Sequence, residues 1–70
     1  MRYAIVIEEA DSNYSAYIPD LPGCVVTGGT DEEAAAQIRE AIAFHLDVLR
    51  EDDISPPRPA SHVEYVETAA

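Results

Sequence analysis

Two prolines and a glycine close together in the first third of the chain limit what it can fold into. Neither a helix nor a paired strand can continue through the segment Pro19-Asp20-Leu21-Pro22-Gly23-Cys24, because proline fixes φ and lacks an amide donor. Gly23 supplies the backbone freedom that a chain reversal requires. The segment therefore predicts a rigid turn between two strands.

A second break follows shortly after this turn. Gly28-Gly29 ends the second of the two strands. Thr30 and Glu33 then have the Ser/Thr-x-x-Glu spacing of a capping box, which opens a helix. The hairpin is thus followed directly by a helix, and the rest of the chain must pack against this hairpin-helix unit.

The remaining elements follow from residue type and period. β-branched and aromatic residues predict strands over residues 2–8, 14–18, 24–27 and 61–67. A helical period predicts one helix over residues 31–52, with an apolar stripe made of Ala35, Ile38, Ile42, Leu46 and Leu49. Asp52 and Asp53 oppose the dipole at its end, so the last turn is expected to fray. Three prolines make residues 54–60 an extended connector before the last strand.

These elements predict one α+β domain over residues 1–70, in the order β-β-β-α-β. Since both faces of the first strand are apolar, we expect that strand to be central. A right-handed crossover then gives the sheet order 3-2-1-4, with one helix on one face. The other face, which carries Ala4, Val6 and Tyr17, is left uncovered. Because a chain of 70 residues has a small core, we expect a homodimer or higher homo-oligomer that buries this face.

The charge balance narrows the choice of partners. The chain has 14 acidic and 4 basic residues, a formal charge of −10 and a pI near 4.2. Such a surface repels phosphate backbones and anionic membranes, and it attracts basic proteins. An acidic surface can also function only to keep a protein in solution. Net charge alone is therefore consistent both with binding of a basic protein and with a role in solubility.

The spacing of the cysteine and histidine residues matches no known pattern of a cofactor or metal site. The single cysteine, Cys24, excludes an internal disulfide and fits a reducing compartment. No CxxC or HxxxH pair exists, so Cys24, His45 and His62 are expected to have structural roles. The sequence also shows no secretory leader and no run of apolar residues that could cross a membrane. We therefore expect a cytoplasmic protein without a cofactor or a metal.

Several of these segments together resemble the HicB family of antitoxins. They are the turn from Tyr17 to Cys24, the Thr27-Gly28-Gly29-Thr30 that follows, and the helix end His45-Leu46-Asp47-Val48-Leu49-Arg50-Glu51-Asp52 before a proline-rich connector. The resemblance implies a partial ribonuclease-H-like fold without nuclease activity. It also implies neutralisation of a small basic mRNA-cleaving toxin, HicA, by direct binding. Many members carry a C-terminal DNA-binding segment. The 70 residues show none after the last strand, so direct DNA binding is not expected.

Acidic residues near the turn are the candidates for contact with such a toxin. We expect Asp20, Asp31 and Glu32 to take part, whereas Glu33 has a capping role. The turn and the cap form a structural motif made of Pro19, Asp20, Leu21, Pro22, Gly23, Cys24, Thr30 and Glu33.

Two other functions stay open at this point. Asp11, Asp20 and Asp31 could belong to a degenerate metal-dependent ribonuclease-H-like enzyme. Each of these aspartates, however, lies in a turn or at the start of a helix, where aspartate commonly has a structural role. Catalysis is therefore not expected. The chain could also be a homo-oligomeric regulatory protein with no toxin partner.

Overall fold

The structure, a computed structural model, describes residues 1–69. Within them, three antiparallel strands form a sheet in the order β1-β2-β3, and one long helix packs against all three strands. The elements are β1 (Val6–Glu9), β2 (Tyr14–Tyr17), β3 (Val25–Gly28) and α1 (Asp31–Glu51). The α+β class, the order of these four elements and the position of the helix on one face agree with the prediction.

The core lies between the sheet and α1. Ile7, Ala16 and Val26 are paired across the three strands and form one row on the side of the helix. Ala16 is fully buried, and so are Ala34 and Ile38 of the helix. The buried core consists of Ala16, Ile18, Leu21, Cys24, Ala34 and Ile38. Because the core is this small, we expect the loss of a contact between α1 and the sheet to remove a large share of the stability.

The proline turn reverses the chain as its sequence predicts, and three backbone hydrogen bonds close it. The amide of Leu21 donates to the carbonyl of Ile18 at 3.0 Å, and the amide of Cys24 donates to the carbonyl of Leu21 at 3.1 Å. The amide of Ile18 closes the loop on the carbonyl of Cys24 at 3.2 Å. Gly23 has a φ of +83°, in the region that favours glycine. The Leu21 side chain is only 1% exposed, so the turn itself contributes to the core.

The helix begins where the capping spacing predicts. Thr30 is extended, and its hydroxyl oxygen accepts a hydrogen bond from the amide of Glu33 at 3.1 Å. Gly28 brings β3 very close to the helix start. A Cβ atom on Gly28 would lie 2.7 Å from the backbone nitrogen of Ala34 and 3.0 Å from its Cα atom. Only glycine fits at this junction.

The helix ends in a closed turn, contrary to the expected fraying. The amide of Ile54 donates to the carbonyl of Leu49 at 2.8 Å, and the amide of Asp53 donates to that of Arg50 at 3.1 Å. Asp53 has a φ of +55°. These bonds form a Schellman motif, which satisfies carbonyl groups at the helix end despite the unfavourable charge there.

The predicted fourth strand over residues 61–67 is absent from the part of the chain that the structure describes. The sheet order is β1-β2-β3 rather than 3-2-1-4, and β1 lies at an edge instead of in the centre. Residues 61–63 lie beside residues 2–4, but neither segment is part of a strand. Tyr65, further along, is 95% exposed. Residue type indicated a strand here, but the ladders of the described residues join only β1 to β2 and β2 to β3. Ala70, the last residue of the predicted domain, lies outside the described residues.

Candidate protein-binding site

One end of the sheet brings a tyrosine and a glutamate together. Glu9, the last residue of β1, is paired with Tyr14, the first residue of β2, and Tyr14 is paired with Gly28 of β3. The Tyr14 hydroxyl donates a hydrogen bond to Glu9 Oε2 at 2.9 Å. Because Gly28 touches the first turn of α1, the start of the helix lies beside the same end of the sheet.

The charges of both elements act on the Tyr14 hydroxyl. The hydrogen bond to Glu9 is the main reason that the pKa of Tyr14 lies above its ordinary value of 10.0, and the negative charge of Glu9 adds to it. The charges of Asp31 and Glu32 raise this pKa further. The fold thus gathers carboxylates from β1 and α1 around one phenol. We call the exposed residues Glu9, Asp31 and Glu32 the acidic face.

Asp20 is not part of this face. One carboxylate oxygen accepts hydrogen bonds from the amides of Ala60 and Ser61, both at 3.0 Å, and the other accepts one from the Ser61 hydroxyl at 3.1 Å. The two amide bonds are the main cause that holds the pKa of Asp20 below its ordinary value of 3.8. Asp20 therefore fixes the connector to the turn. Of the three acidic residues predicted to contact a partner, the structure brings only Asp31 and Glu32 together. Contact of any of them with a partner stays a prediction.

Two of the residues predicted for an oligomer face lie side by side. Val6 is paired with Tyr17, and Tyr17 is paired with Val25. This row alternates with the row of Ile7, so it points away from α1. Val25 was missed by the sequence analysis, although alternation along the third strand places it on the same face as Tyr17. Ala4 precedes β1, in a segment that is not part of the sheet, and lies beside residues 61–63.

Sequence reasoning also missed Glu9 and Tyr14 as members of the acidic end. The signal was present, since both residues flank the predicted hairpin loop and must lie opposite each other if the loop closes. The motif residues Leu21 and Cys24 are buried, and burial raises the pKa of the Cys24 thiol. Cys24 is thus a small apolar core residue.

The arrangement favours recognition of a cationic surface. Exposed carboxylates on two rigid elements can accept hydrogen bonds from arginine and lysine side chains. Among residues 1–69, no group of three or more histidine, cysteine, aspartate or glutamate side chains is placed to hold a metal ion. The same residues contain no helix long and apolar enough to span a membrane.

The fold and this end of the sheet define a small α+β module with an acidic face suited to binding a basic protein. The sequence matches the family described as HicB-like antitoxin of bacterial toxin-antitoxin system over residues 3–70. The chain belongs to this family.

Individual relatives agree with the family match. An uncharacterized 14.9 kDa protein of Haemophilus phage HP1 is 38% identical over 66 residues, which are 94% of this chain and 50% of the phage protein. Antitoxin HicB 2 of Photorhabdus laumondii is 32% identical over 71 residues, 100% of this chain and 51% of that antitoxin. A UPF0150 protein of Thermoplasma acidophilum is 36% identical, over 83% of this chain and 86% of its own length. The chain thus spans about half the length of the first two relatives. No solved structure gave a significant match.

Proposed function

We propose that this chain is an antitoxin that binds and neutralises a small basic, mRNA-cleaving toxin of the HicA type. The observation that carries the proposal is that Glu9 and the first turn of α1, which carries Asp31 and Glu32, lie at the same end of the sheet. The family supports an antitoxin role, and the acidic face supplies a surface that fits a basic toxin.

The acidic face keeps its charge available to a partner. Within residues 1–69, the ion pairs join Arg50 to Asp47 and His62 to Glu64, and none involves the acidic face. Exposed carboxylates that take part in no ion pair attract a basic protein over a distance and speed its encounter. By occupying the basic surface of the toxin, they would keep it from RNA. A net charge of −10 opposes direct binding to DNA for the same reason.

The family resemblance supports a role without catalysis in a partial ribonuclease-H-like frame. In this proposal the β-β-β-α body holds the acidic face rigidly and performs no chemistry. Because the toxin would act on mRNA, the complex would form in the cytoplasm.

The test measures binding kinetics with a small basic protein, which we expect a neighbouring reading frame to encode. We expect the two proteins to co-purify, with an association rate that falls as salt rises. Combined Asp31→Lys and Glu32→Lys substitutions should slow association about ten-fold or more, because they remove long-range attraction. Asp20 is left unchanged, since its substitution would release the connector. Circular dichroism would verify that the helix persists, because the new charges oppose its dipole.

Combined Glu40→Lys and Glu51→Lys substitutions are the matched control. Both residues are exposed on α1, and the pair changes net charge by the same amount away from the acidic face. The control should slow association much less. Equal slowing by both pairs would argue against a specific acidic face. Absence of co-purification, or tight binding of the chain to its own promoter DNA, would contradict the proposal.

A further inference from the structure

The outer edge of β1 has no neighbouring strand within residues 1–69. The ladders join β1 to β2 and β2 to β3, so β1 and β3 are the two edges of the sheet. In an antiparallel pair, every second residue directs its backbone N–H and C=O groups towards the partner strand. The alternate residues of β1 therefore direct theirs to the opposite side. Among the described residues, no backbone hydrogen bond outside the ladders ends on β1, so these groups can pair with an added strand.

The described residues leave the edge of β1 more open than the edge of β3. Residues 61–63 and residues 2–4 line a common cleft of about 450 Å³, and no residue of β1 belongs to this cleft. At β3, by contrast, Gly28 lies against the backbone of Ala34. The other end of β3 continues into the proline turn, whose backbone groups bond to each other. An added strand therefore has better access to β1.

The side chains of β1 determine which kind of strand fits this edge. Val6 and Ile7 are apolar, whereas Glu8 and Glu9 are exposed carboxylates that take part in none of the ion pairs among residues 1–69. An added strand places its side chains opposite those of β1, and opposite charges in such cross-strand pairs are stabilising. The matching segment therefore has two adjacent basic residues next to two β-branched residues. Antiparallel pairing is the more stable kind, and it requires the order Lys-Lys-Val-Val.

We propose that the toxin of the proposed function docks by adding an extended basic segment to the outer edge of β1, antiparallel to this strand. Strand addition supplies affinity through main-chain hydrogen bonds and specificity through the side chains. Glu9 belongs both to this edge and to the acidic face, so Asp31 and Glu32 attract a basic segment to the same end of β1. The identity of the partner rests on the proposed function, whereas the strand-binding edge itself does not.

A second copy of this chain is a poorer occupant of the edge. Each copy has a formal charge of −10, so two copies repel each other. Charged residues on an edge strand also hinder pairing between identical edges. Glu8 and Glu9 thus disfavour an acidic strand and favour a basic one.

The first test uses a synthetic peptide and does not depend on the toxin. The isotope-labelled full chain is titrated with a peptide of about eight residues centred on Lys-Lys-Val-Val, and amide hydrogen exchange is followed by NMR. Every second amide of β1 should exchange about ten-fold more slowly or less, while the amides of β3 stay unchanged.

Two peptides serve as matched controls for the first test. The same peptide with N-methylated backbone amides keeps its side chains but loses its donors, so it should bind about ten-fold more weakly. A Glu-Glu-Val-Val peptide should also bind about ten-fold more weakly, because it places carboxylates opposite Glu8 and Glu9. Unchanged exchange in β1, or equal affinity of the N-methylated peptide, would overturn the proposal.

The second test examines the register of the pairing. Glu8→Lys should weaken binding of the Lys-Lys-Val-Val peptide about three- to ten-fold, because it places like charges opposite each other. A Lys-Glu-Val-Val peptide, whose glutamate lies opposite the substituted position, should bind this variant better than it binds the parent chain. Glu40→Lys makes the same charge change on the exposed side of α1 and should weaken binding by less than about two-fold. Equal effects of the two substitutions would show that net charge alone determines binding and would overturn the pairing.

The third test applies the exchange measurement to the complex with the small basic protein. We expect the same alternate amides of β1 to be protected. A stable complex without this protection would overturn the strand addition and leave the proposed function in place. Binding of the peptide without any complex would instead contradict the proposed function and leave the strand-binding edge. If rising concentrations of the chain alone protect these amides, the proposal fails, and the edge binds a second copy.

Discussion

At the scale of single residues, three glycines differ in what an added methyl group would meet. A Cβ on Gly28 would press on the backbone of Ala34, which cannot move without shifting the helix. A Cβ on Gly23 would meet no atom within 4 Å, but the φ of +83° is unfavourable for any other residue. A Cβ on Gly29 would lie 3.3 Å from Glu33 Oε2, the end of a flexible side chain. The three glycines thus represent a clash with backbone atoms, an unfavourable backbone angle, and a tight contact that a flexible side chain can relieve.

We expect the three glycine-to-alanine variants to lose stability in that order. Gly28→Ala should lower the free energy of unfolding by about 2–3 kcal/mol, as overpacking does. Gly23→Ala should lower it by about 1–2 kcal/mol through the left-handed backbone. Gly29→Ala should change it by less than about 0.5 kcal/mol, as at an ordinary surface position. Urea denaturation of the three variants provides the measurement. A Gly28→Ala variant as stable as the Gly29→Ala variant would refute the close approach of β3 to the helix.

At the scale of elements, Asp20 joins the proline turn to the connector that follows α1. Its folded pKa is lowered, so the contact is fully present above the ordinary pKa of 3.8 and is lost as pH falls through the folded value. We expect the amide signals of Ala60 and Ser61 to titrate below pH 3.8 in an NMR pH series. The reason is that protonation of Asp20 weakens both of these hydrogen bonds.

Two variants test whether Asp20 causes this titration of the amide signals. In Asp20→Asn, the amide signals of Ala60 and Ser61 should no longer move over the acidic range. Asp11→Asn, a substitution in the hairpin loop, should leave the titration as it is in the parent chain. If these amide signals still titrate in Asp20→Asn, another group controls the connector.

The elements that could be predicted from the sequence are those fixed by nearby residues. Thr30 begins the helix because its cap needs only the amide of Glu33, three residues away. Gly23 and the two prolines define their turn for the same reason. The segment around Tyr65 has the composition of a strand, but a strand also needs a distant neighbour, and composition does not specify one. The same limit applies to the site. Asp31 and Glu32 were predicted, whereas their proximity to Glu9 depends on how β1, β2 and α1 pack together.

At the scale of the whole molecule, net charge acts on every equilibrium of this chain. With 14 acidic residues against 4 basic ones, the folded state carries more repulsion than attraction between its exposed groups. This repulsion opposes both compact folding and the approach of a second copy. The same field would attract the basic toxin of the proposed function. Salt should therefore strengthen the first two equilibria and weaken the third.

A salt series measures these opposite effects on one protein. Raising ionic strength from about 0.01 M to about 0.15 M shortens the Debye length from about 30 Å to about 8 Å, so repulsion between distant carboxylates is largely screened. If screening recovers about 1 kcal/mol, the Tm of the isolated chain should rise by roughly 4–8 °C, while association with the toxin slows. Measuring Tm at low protein concentration keeps dimer formation from contributing. Two salts of different Hofmeister rank should give the same rise at equal ionic strength, since screening depends on charge alone. A Tm that falls with salt would show that attractive ion pairs, rather than acidic repulsion, dominate the electrostatics of the fold.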